Sequence, residues 1–210
     1  MFTGIISGMG RIESIAASPE TDSVILHISA PNHTGDLEPG GSIAVNGVCL
    51  TATSITGDML SLDVMGETLN HTTIGTLTPG EGINLERCVK AGGRLDGHVV
   101  QGHVDGVGQL LEHESLGAWD RFRFQIPRGL ARYVAKKGSI AIDGVSLTVT
   151  EVSDAQHKEQ WFEVGIIPTT LRETTLGQRA PGSAVNLEVD VMAKYAERLA
   201  SFNTTESSAS

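Results

Sequence analysis

Aromatic side chains and cysteines are scarce in this sequence of 210 residues, and each shortage limits what the protein can be. Only 4% of the residues are aromatic, which together with 25 glycines indicates many turns, although a hydrophobic content of 40% suffices for packed cores. The two cysteines, Cys49 and Cys88, are too few for a disulfide framework and favour a reducing cytoplasm. No Cys/His cluster has zinc spacing and no carboxylate triplet resembles a calcium loop, so we expect no bound metal.

Basic residues are also scarce, since the formal net charge is −10 and no long Lys/Arg run offsets it. We therefore expect no nucleic-acid surface. No apolar run approaches the roughly 18 residues of a membrane helix, and the N-terminus lacks the basic and apolar regions of a signal peptide, so we expect no membrane contact. A complete dinucleotide fingerprint and an NTPase phosphate loop are both missing, so we expect neither a nicotinamide enzyme nor an NTPase.

The sequence does contain the same unit twice. Residues 41–52, GSIAVNGVCLTA, and residues 138–149, GSIAIDGVSLTV, are identical at eight of twelve positions. Three further blocks recur in the same order, at 4–10 and 102–108, at 68–75 and 170–177, and at 79–86 and 181–188. Because such self-similarity marks an internal duplication, we predict one domain at 1–97 and a second at 98–190. The polar segment 203–210 is predicted to be a disordered tail.

The pattern within each repeat predicts β-structure. Short β-branched runs are separated by Gly, Pro, Asn and Asp, as at 24–28, 43–55, 60–64 and 83–86. This spacing favours a small antiparallel barrel or sandwich in each repeat. Pro127 and Gly138 bracket a run that predicts a short helix.

The segment 191–202 predicts a C-terminal α-helix. Val191, Tyr195, Leu199 and Phe202 share one helical face, and Met192 lies beside them. This apolar face either caps the chain's own barrel or packs against copies of the same helix. The residues alone favour neither alternative, although nothing in the first repeat corresponds to this segment.

Side-chain alternation along the duplicated segment selects the candidate chemical groups. If Val48, Leu50 and Ala52 fill the first barrel, then Cys49 and Thr51 face outward. The same argument places Ser146 and Thr148 outward on the second barrel. Both repeats thus present a small nucleophile-type residue, with a threonine two positions later, at the same outward place.

Histidine is the natural candidate for proton transfer near neutral pH. His103 takes the place in the second repeat that Ile5 has in the first. On a strand, His98 and His103 would point to opposite faces, so they do not predict a metal pair. The alternative for His103 is an ordinary structural histidine.

Several motifs together resemble the riboflavin synthase alpha chain family, over nearly the whole chain and in the family's order. They are MFTGI, NGVCLT, GETL, GHVVQGHVDG, KGSIAIDGVSLTV, IPTTLRETTL and VNLEVDVMAKYAERL. The resemblance implies an all-β fold of two similar six-stranded antiparallel Greek-key barrels, followed by a C-terminal α-helix at 191–202 that holds a homotrimer together.

The resemblance also implies a transferase reaction. Two molecules of 6,7-dimethyl-8-ribityllumazine dismutate by four-carbon transfer, and the products are riboflavin and 5-amino-6-(D-ribitylamino)uracil. Neither a cofactor nor a metal is needed, and the site forms between the N-terminal barrel of one subunit and the C-terminal barrel of another. A cytoplasmic location and association with lumazine synthase are further expectations.

The site residues that the resemblance implies fall into matching segments of the two repeats. Those assigned to the first barrel are Gly4, Ile5, Ile6, Cys49, Leu50, Thr51, Asp63, Val64, Met65, Gly66, Glu67 and Thr68. Those assigned to the second are Gly102, His103, Val104, Ser146, Leu147, Thr148, Gly165, Ile166, Ile167, Pro168, Thr169 and Thr170, with Lys137 from a neighbouring subunit. The implied catalytic set is Phe2, Cys49, His103, Ser146 and Thr148.

The competing hypothesis is a non-catalytic lumazine- or flavin-binding protein of the same fold, which holds one ligand without converting it. Such a protein is expected to lose ligand-side residues in its second barrel. This sequence retains His103, Lys137, Ser146 and Thr148, which favours the enzyme.

Overall fold

The computed structural model describes residues 1–18 and 22–206 and is built mainly from strands. The strands of the first half are β1 Gly8–Ala17, β2 Ser23–Ser29, β3 Ser42–Val45, β4 Val48–Thr56, β5 Met59–Met65 and β6 Gly82–Arg87. Those of the second half are β7 Gly106–Ser115, β8 Asp120–Gln125, β9 Ser139–Ile142, β10 Val145–Val152, β11 Trp161–Ile166 and β12 Ala184–Val189. The helices are α1 Gly66–His71, α2 Arg128–Ala131, α3 Pro168–Glu173 and α4 Val191–Glu206.

Each half closes into an antiparallel barrel of six strands. The order around the first barrel is β1-β2-β5-β4-β3-β6, and the second repeats it as β7-β8-β11-β10-β9-β12. Strands β3, β4 and β5 follow one another, while β2 returns beside β5, which is a Greek-key arrangement. The predicted fold of two such barrels and a C-terminal helix is confirmed.

Alternation along β4 sorts the side chains as predicted. Val48, Leu50 and Ala52 are buried in the first barrel's core, whereas Cys49 is half-buried and Thr51 is exposed. Strand β10 shows the same order, with Ser146 half-buried and Thr148 exposed. The two cores differ in composition, since the first is aliphatic and the second contains Phe122, Phe124 and Phe162. The duplicated segment therefore presents its polar residues outside both barrels.

The run predicted as one strand at 43–55 is in fact a hairpin. Asn46 and Gly47 separate β3 from β4 and have positive φ angles of 45° and 77°. Two consecutive residues of this kind form the tight turn that suits the twist of paired strands, and Asn-Gly is its preferred sequence. Asp143 and Gly144 make the same turn between β9 and β10.

The helical elements depart from the predictions in length and number. The helix expected between Pro127 and Gly138 is the single turn α2, and the helices α1 and α3 were not predicted. Each of these two is followed by a 3-10 turn, at Thr73–Thr76 and Thr175–Gln178. Strand patterns do not reveal such short helices, because one turn buries too few residues to show a period.

Helix α4 extends four residues beyond its predicted end at 202, so positions 203–206 are helical rather than part of a disordered tail. Positions 207–210 lie outside the described residues. Val191 is 9% exposed and anchors the start of the helix, whereas the rest of the predicted stripe faces outward in this chain, with Met192, Tyr195, Leu199 and Phe202 all exposed. The helix thus does not cap its own barrel with this face. Among the described helices, none is long and apolar enough to cross a membrane.

Two buried asparagines link the two barrels through hydrogen bonds. Asn84 on β6 donates to the backbone oxygen of Asp143 at 2.9 Å and accepts from the backbone N–H of Thr175 at 2.7 Å. Asn186 on β12 forms the equivalent pair with Asn46 and Thr73, at 2.9 and 2.7 Å. Buried amides must satisfy their hydrogen-bonding groups, so these four bonds tie each repeat to the turns of the other.

Candidate active site on the outer faces of the barrels

The leading segment of each repeat crosses to the barrel of the other repeat. The backbone N–H of Ser146 donates to the oxygen of Gly4 at 2.8 Å, and that of Cys49 donates to the oxygen of Gly102 at 2.9 Å. A Cβ atom on either glycine would lie 2.6 Å from the Cβ of its partner, and both glycines have positive φ angles, of 75° and 79°. Only glycine fits such a position without strain.

This crossing corrects the predicted grouping of segments. The sequence assigned Gly4–Ile6 to the first barrel's site and Gly102–Val104 to the second, whereas within this chain the contacts are exchanged. Ile6 packs against the core of the second barrel, and Val104 packs against that of the first. Repeat periodicity shows that two segments are equivalent but does not show which barrel each one contacts. His103 is consequently on the Cys49 side of this chain, not beside Ser146.

A buried glutamate holds each leading segment in place. Glu86 accepts hydrogen bonds from the backbone N–H groups of Thr3 and Gly4 at 2.7 and 3.0 Å, and from the hydroxyl of Thr3 at 2.8 Å. Its twin Glu188 accepts from the N–H groups of Gln101, Gly102 and His103 at 2.6, 2.9 and 2.9 Å. Burial raises the pKa of both carboxyl groups, while these hydrogen bonds oppose the shift. The glutamate of the Asn-Leu-Glu motif that both repeats share therefore fixes the leading segment of its own repeat.

The thiol of Cys49 is less ionised than that of a free cysteine. Burial raises the pKa of Cys49 above its ordinary value, and the hydrogen bond with Ser42 offsets only part of that shift. The thiolate fraction near neutral pH is consequently below the few per cent expected of a free cysteine. Thr51 pairs with Asp63 across β4 and β5, and both are exposed, so they extend the polar surface beside the thiol.

The hydroxyl of Ser146 is paired with a histidine that the sequence argument passed over. Nδ1 of His98 lies 2.7 Å from Oγ of Ser146. Burial lowers the pKa of His98, an effect that Asp190 opposes. The sequence alone does not indicate this contact, because strand alternation does not show that His98 lies beside the second barrel. The exposed His103 was selected as a proton-transfer residue instead.

The side chain of Phe2, a residue of the predicted catalytic set, is fully buried, and its catalytic role stays a prediction. It packs in a small cluster with Ala44, Val100 and Ala141, against which Cys49 is also packed. A Cβ on Gly102 would lie 3.0 Å from its ring. Phe2 therefore packs against Gly102 and Cys49, two residues of the candidate site.

The remaining predicted substrate residues divide by exposure. Leu50, Val64 and Ile166 are buried as whole residues, so within this chain they present almost no surface to a ligand. Met65 and Ile167 occupy equivalent positions in the two repeats. They are 66% and 58% exposed and place large apolar side chains beside the two sites. Such side chains suit the face of a planar ring. The other predicted positions, Gly66, Glu67, Thr68, Leu147, Gly165, Pro168, Thr169 and Thr170, flank these groups on the neighbouring strands and helices.

Lys137 lies at the end of the connection before β9, in the left-handed region with φ of 70°. Its backbone N–H donates to the oxygen of Val149 at 2.8 Å, and its side chain is exposed. The neighbouring Lys136 is paired with Glu151 at 2.6 Å. The structure thus presents the ammonium group of Lys137 to solvent on the second barrel.

Two further features lie apart from these groups. A cleft of about 580 Å³ between α2 and the ends of β10 and β11 contains none of the predicted site residues. In the part of the chain that is described, no three His, Cys, Asp or Glu side chains are grouped as metal ligands. The outer strand faces carry the candidate chemistry because the outward pairs, the glycine crossings and the His98–Ser146 contact all meet there.

Comparison with known proteins agrees with this architecture. The lumazine binding domain model matches residues 3–88 and 101–190, so the fold and its two outer sites define a duplicated lumazine-binding domain protein. LumP complexed with 6,7-dimethyl-8-(1'-D-ribityl) lumazine superposes with a TM-score of 0.78 at 27% identity, covering 90% of this chain and 99% of LumP.

Two relatives show which family of lumazine-binding domain proteins includes this chain. Riboflavin synthase of Mycobacterium tuberculosis (strain ATCC 25618 / H37Rv) is 48% identical over 200 residues, which covers 95% of this chain and 98% of the relative. Riboflavin synthase of Actinobacillus pleuropneumoniae is 43% identical over 198 residues, covering 94% and 89%. The chain belongs to the riboflavin synthase family.

Proposed function

We propose that this chain converts two molecules of 6,7-dimethyl-8-ribityllumazine into riboflavin and 5-amino-6-(D-ribitylamino)uracil. One lumazine gives a four-carbon unit and the other receives it. The two products together contain the atoms of the two substrates, so the reaction needs no oxidant or reductant. In this proposal each barrel binds one lumazine.

The observation that carries the proposal is a pair of equivalent sites with different chemistry. Cys49 with Gly102 and Ser146 with Gly4 have the same backbone geometry, including hydrogen bonds of 2.9 and 2.8 Å. One site nevertheless presents a thiol of raised pKa, and the other presents a hydroxyl paired with His98. Two copies of one substrate that must act as donor and acceptor require such a pair of sites, alike in shape but unlike in reactivity.

The shapes of the sites are suited to a pteridine. Cys49 and Ser146, half-buried at equivalent places on β4 and β10, offer polar side chains to the edge of a planar ring. Met65 and Ile167 supply apolar surface at equivalent places on the two barrels. Asp63 and Thr51 on the first barrel, and Thr148 on the second, are exposed polar groups that suit the hydroxyls of a ribityl chain.

Product formation from the lumazine alone tests the proposal. The purified full chain, dialysed against chelator, is incubated with 6,7-dimethyl-8-ribityllumazine as its sole substrate, and riboflavin is measured by chromatography and fluorescence. We expect riboflavin to accumulate without added metal or nucleotide. Activity that appears only after a metal or nicotinamide is added would contradict the proposal.

The second candidate function is non-catalytic ligand binding, which the similarity to LumP in complex with a lumazine supports at 27% identity. The two candidate functions differ in the number of lumazines bound per chain. Equilibrium dialysis under conditions of negligible turnover should give two bound lumazines per chain for the enzyme and one for a non-catalytic binding protein. The retained residues of the second barrel, including Ser146 and Thr148, favour two.

A homotrimer is part of the same proposal. Four large apolar side chains of α4 are between 59% and 70% exposed, namely Met192, Tyr195, Leu199 and Phe202. A face of this kind on a monomer is unfavourable in water and is suited to packing against copies of itself. The assembly would bring the first barrel of one subunit to the second barrel of another, with Lys137 reaching across.

The location and wider associations follow from the same resemblance. We infer a cytoplasmic protein with no nucleic-acid or membrane partner, because its two cysteines are free and its net charge is −10. Association with lumazine synthase, whose product would be this enzyme's substrate, belongs to the proposal. Co-sedimentation of the two purified proteins tests it.

A further inference from the structure

Three contacts fix His98 beside Ser146. Nδ1 of His98 lies 2.7 Å from Oγ of Ser146, and the histidine is only 9% exposed. The backbone N–H of His98 donates to the oxygen of Thr3 at 3.1 Å. Gly97 permits the approach, since a Cβ there would lie 3.0 Å from Oγ of Ser146. The position of the imidazole ring is therefore set before any ligand binds.

The other ring nitrogen of His98 indicates which partner donates. Nε2 is buried and has no hydrogen-bond partner among residues 1–18 and 22–206. A proton on Nε2 would bury an unsatisfied N–H group, which folded proteins tolerate less than an unsatisfied acceptor. Because burial lowers the pKa of His98, the ring is neutral near pH 7. The neutral ring therefore carries its proton on Nδ1 and donates it to Oγ of Ser146.

This tautomer determines what Ser146 can do. Its oxygen accepts from His98, and its backbone N–H is engaged by Gly4 at 2.8 Å. The hydroxyl proton is then the one remaining donor, on the outer face of β10 where Thr148 is also exposed. A hydroxyl that accepts one hydrogen bond becomes a stronger donor in the next.

We propose that His98 is a positioning residue that fixes Ser146 as a hydrogen-bond donor to an acceptor atom of the pteridine, either a carbonyl oxygen or a ring nitrogen. The inference rests on the proposed function. When the C–H bond of the 7-methyl group breaks, its proton passes to a base in solution and the electron pair delocalises over the ring. A preorganised donor at an acceptor atom stabilises that anion. In this role Ser146 is neither nucleophile nor base.

Among the residues that the structure describes, the first barrel lacks this arrangement. Its equivalent of Ser146 is Cys49, whose thiol is a weak donor. The second barrel is accordingly the site that favours the lumazine anion, and the first favours the neutral molecule. This assigns the deprotonated partner of the reaction to the second barrel.

Nitrogen NMR of the full chain labelled at histidine tests the tautomer directly. His98→Asn identifies the His98 signals by their loss. We expect a protonated Nδ1 and an unprotonated Nε2 at pH 7 in the protein without ligand. A proton on Nε2 would overturn the proposal, because Ser146 would then donate to the histidine. This measurement requires no turnover, so its result does not depend on whether the proposed function is correct.

A double-mutant cycle tests the consequence for the ligand. The dissociation constant of the lumazine anion is measured by absorbance for the parent protein, His98→Ala, Ser146→Ala and the double variant. We expect each single substitution to weaken binding at the second barrel by about 10-fold, which corresponds to roughly 1.4 kcal/mol. The double variant should be no weaker than Ser146→Ala, because His98 acts through Ser146.

Two results would overturn the proposal at this stage. One is a loss of about 100-fold in the double variant, which would mean that the two residues act independently. The other is a failure of His98→Asn to restore binding to within about 3-fold of the parent, since an asparagine amide can donate from near the place of Nδ1. Binding at the first barrel should be unchanged in every variant and reports whether the protein is folded.

Discussion

Gly47 and Gly144, equivalent residues of the two hairpin turns, are in direct contact where the barrels meet. A Cβ atom on Gly47 would lie 2.6 Å from the backbone nitrogen of Gly144, and one on Gly144 would lie 2.8 Å from the nitrogen of Gly47. Both residues also have positive φ angles, of 77° and 81°. Each glycine thus serves its own turn and the junction at once.

Gly47→Ala should destabilise the protein through both effects. The left-handed backbone costs an alanine about 1 kcal/mol, and the backbone of Gly144 must shift as well, so we expect a total loss of about 2 to 4 kcal/mol in the free energy of unfolding. The matched control is Gly57→Ala, where φ is 59° but no atom lies within 4 Å of the added Cβ. Urea denaturation measures both. Equal losses in the two variants would show that the contact with Gly144 is not tight.

Glu188→Ala should release the segment that carries His103. Three backbone N–H groups would lose a charged acceptor in a buried place, and hydrogen bonds to charged groups contribute about 1.5 to 3 kcal/mol each. We expect a loss of at least about 2 kcal/mol in stability and faster amide exchange at Gln101, Gly102 and His103. Glu67→Ala serves as the control, because that side chain is 80% exposed. Unchanged exchange at the three amides would contradict the role of Glu188.

The order and equivalence of the two repeats could be predicted from the sequence, because identical blocks must form similar structures. The outward positions of Cys49 and Ser146 also followed, since a strand alternates strictly. The crossing of Gly4 to Ser146 could not be predicted, because it depends on how the two barrels are docked. The roles of Glu86 and Glu188 could not be predicted for the same reason, although the Asn-Leu-Glu motif that contains them is visible in both repeats.

The pairing of His98 with Ser146 shows a further limit of pattern reasoning. The two residues are far apart in sequence, and His98 lies outside any strand. No periodic pattern connects a loop residue to a distant strand. The Asp96-Gly97-His98 sequence did contain one physical signal, since Gly97 permits the close approach to Ser146.

Alkylation of Cys49 should be slow near neutral pH and should increase steeply only in alkaline solution. Burial disfavours the thiolate, so the pKa of Cys49 lies above its ordinary value and the reactive form appears at higher pH than in a free cysteine. The rate with iodoacetamide is measured from pH 6 to 10 in a Cys88→Ser background, with a small free thiol as reference. A rate that levels off at lower pH than the reference would contradict a raised pKa.

Tyr195→Ser with Leu199→Ser should give monomers that remain folded. Both side chains are exposed in one chain, at 60% and 70%, so their replacement removes apolar surface without opening a core. Val191 is left intact because it is buried at the start of α4. Sedimentation velocity measures the size, and circular dichroism reports the fold. An unchanged trimer would contradict the role of this face, and we expect turnover to fall with the trimer.

The stoichiometry of the reaction tests the central claim most directly. The full chain is incubated with 6,7-dimethyl-8-ribityllumazine alone, and the lumazine consumed and both products are quantified through the time course. The account predicts two lumazines consumed for each riboflavin formed, with one 5-amino-6-(D-ribitylamino)uracil released at the same rate. Lumazine that stays bound and unchanged, or riboflavin formed without the pyrimidine, would contradict it.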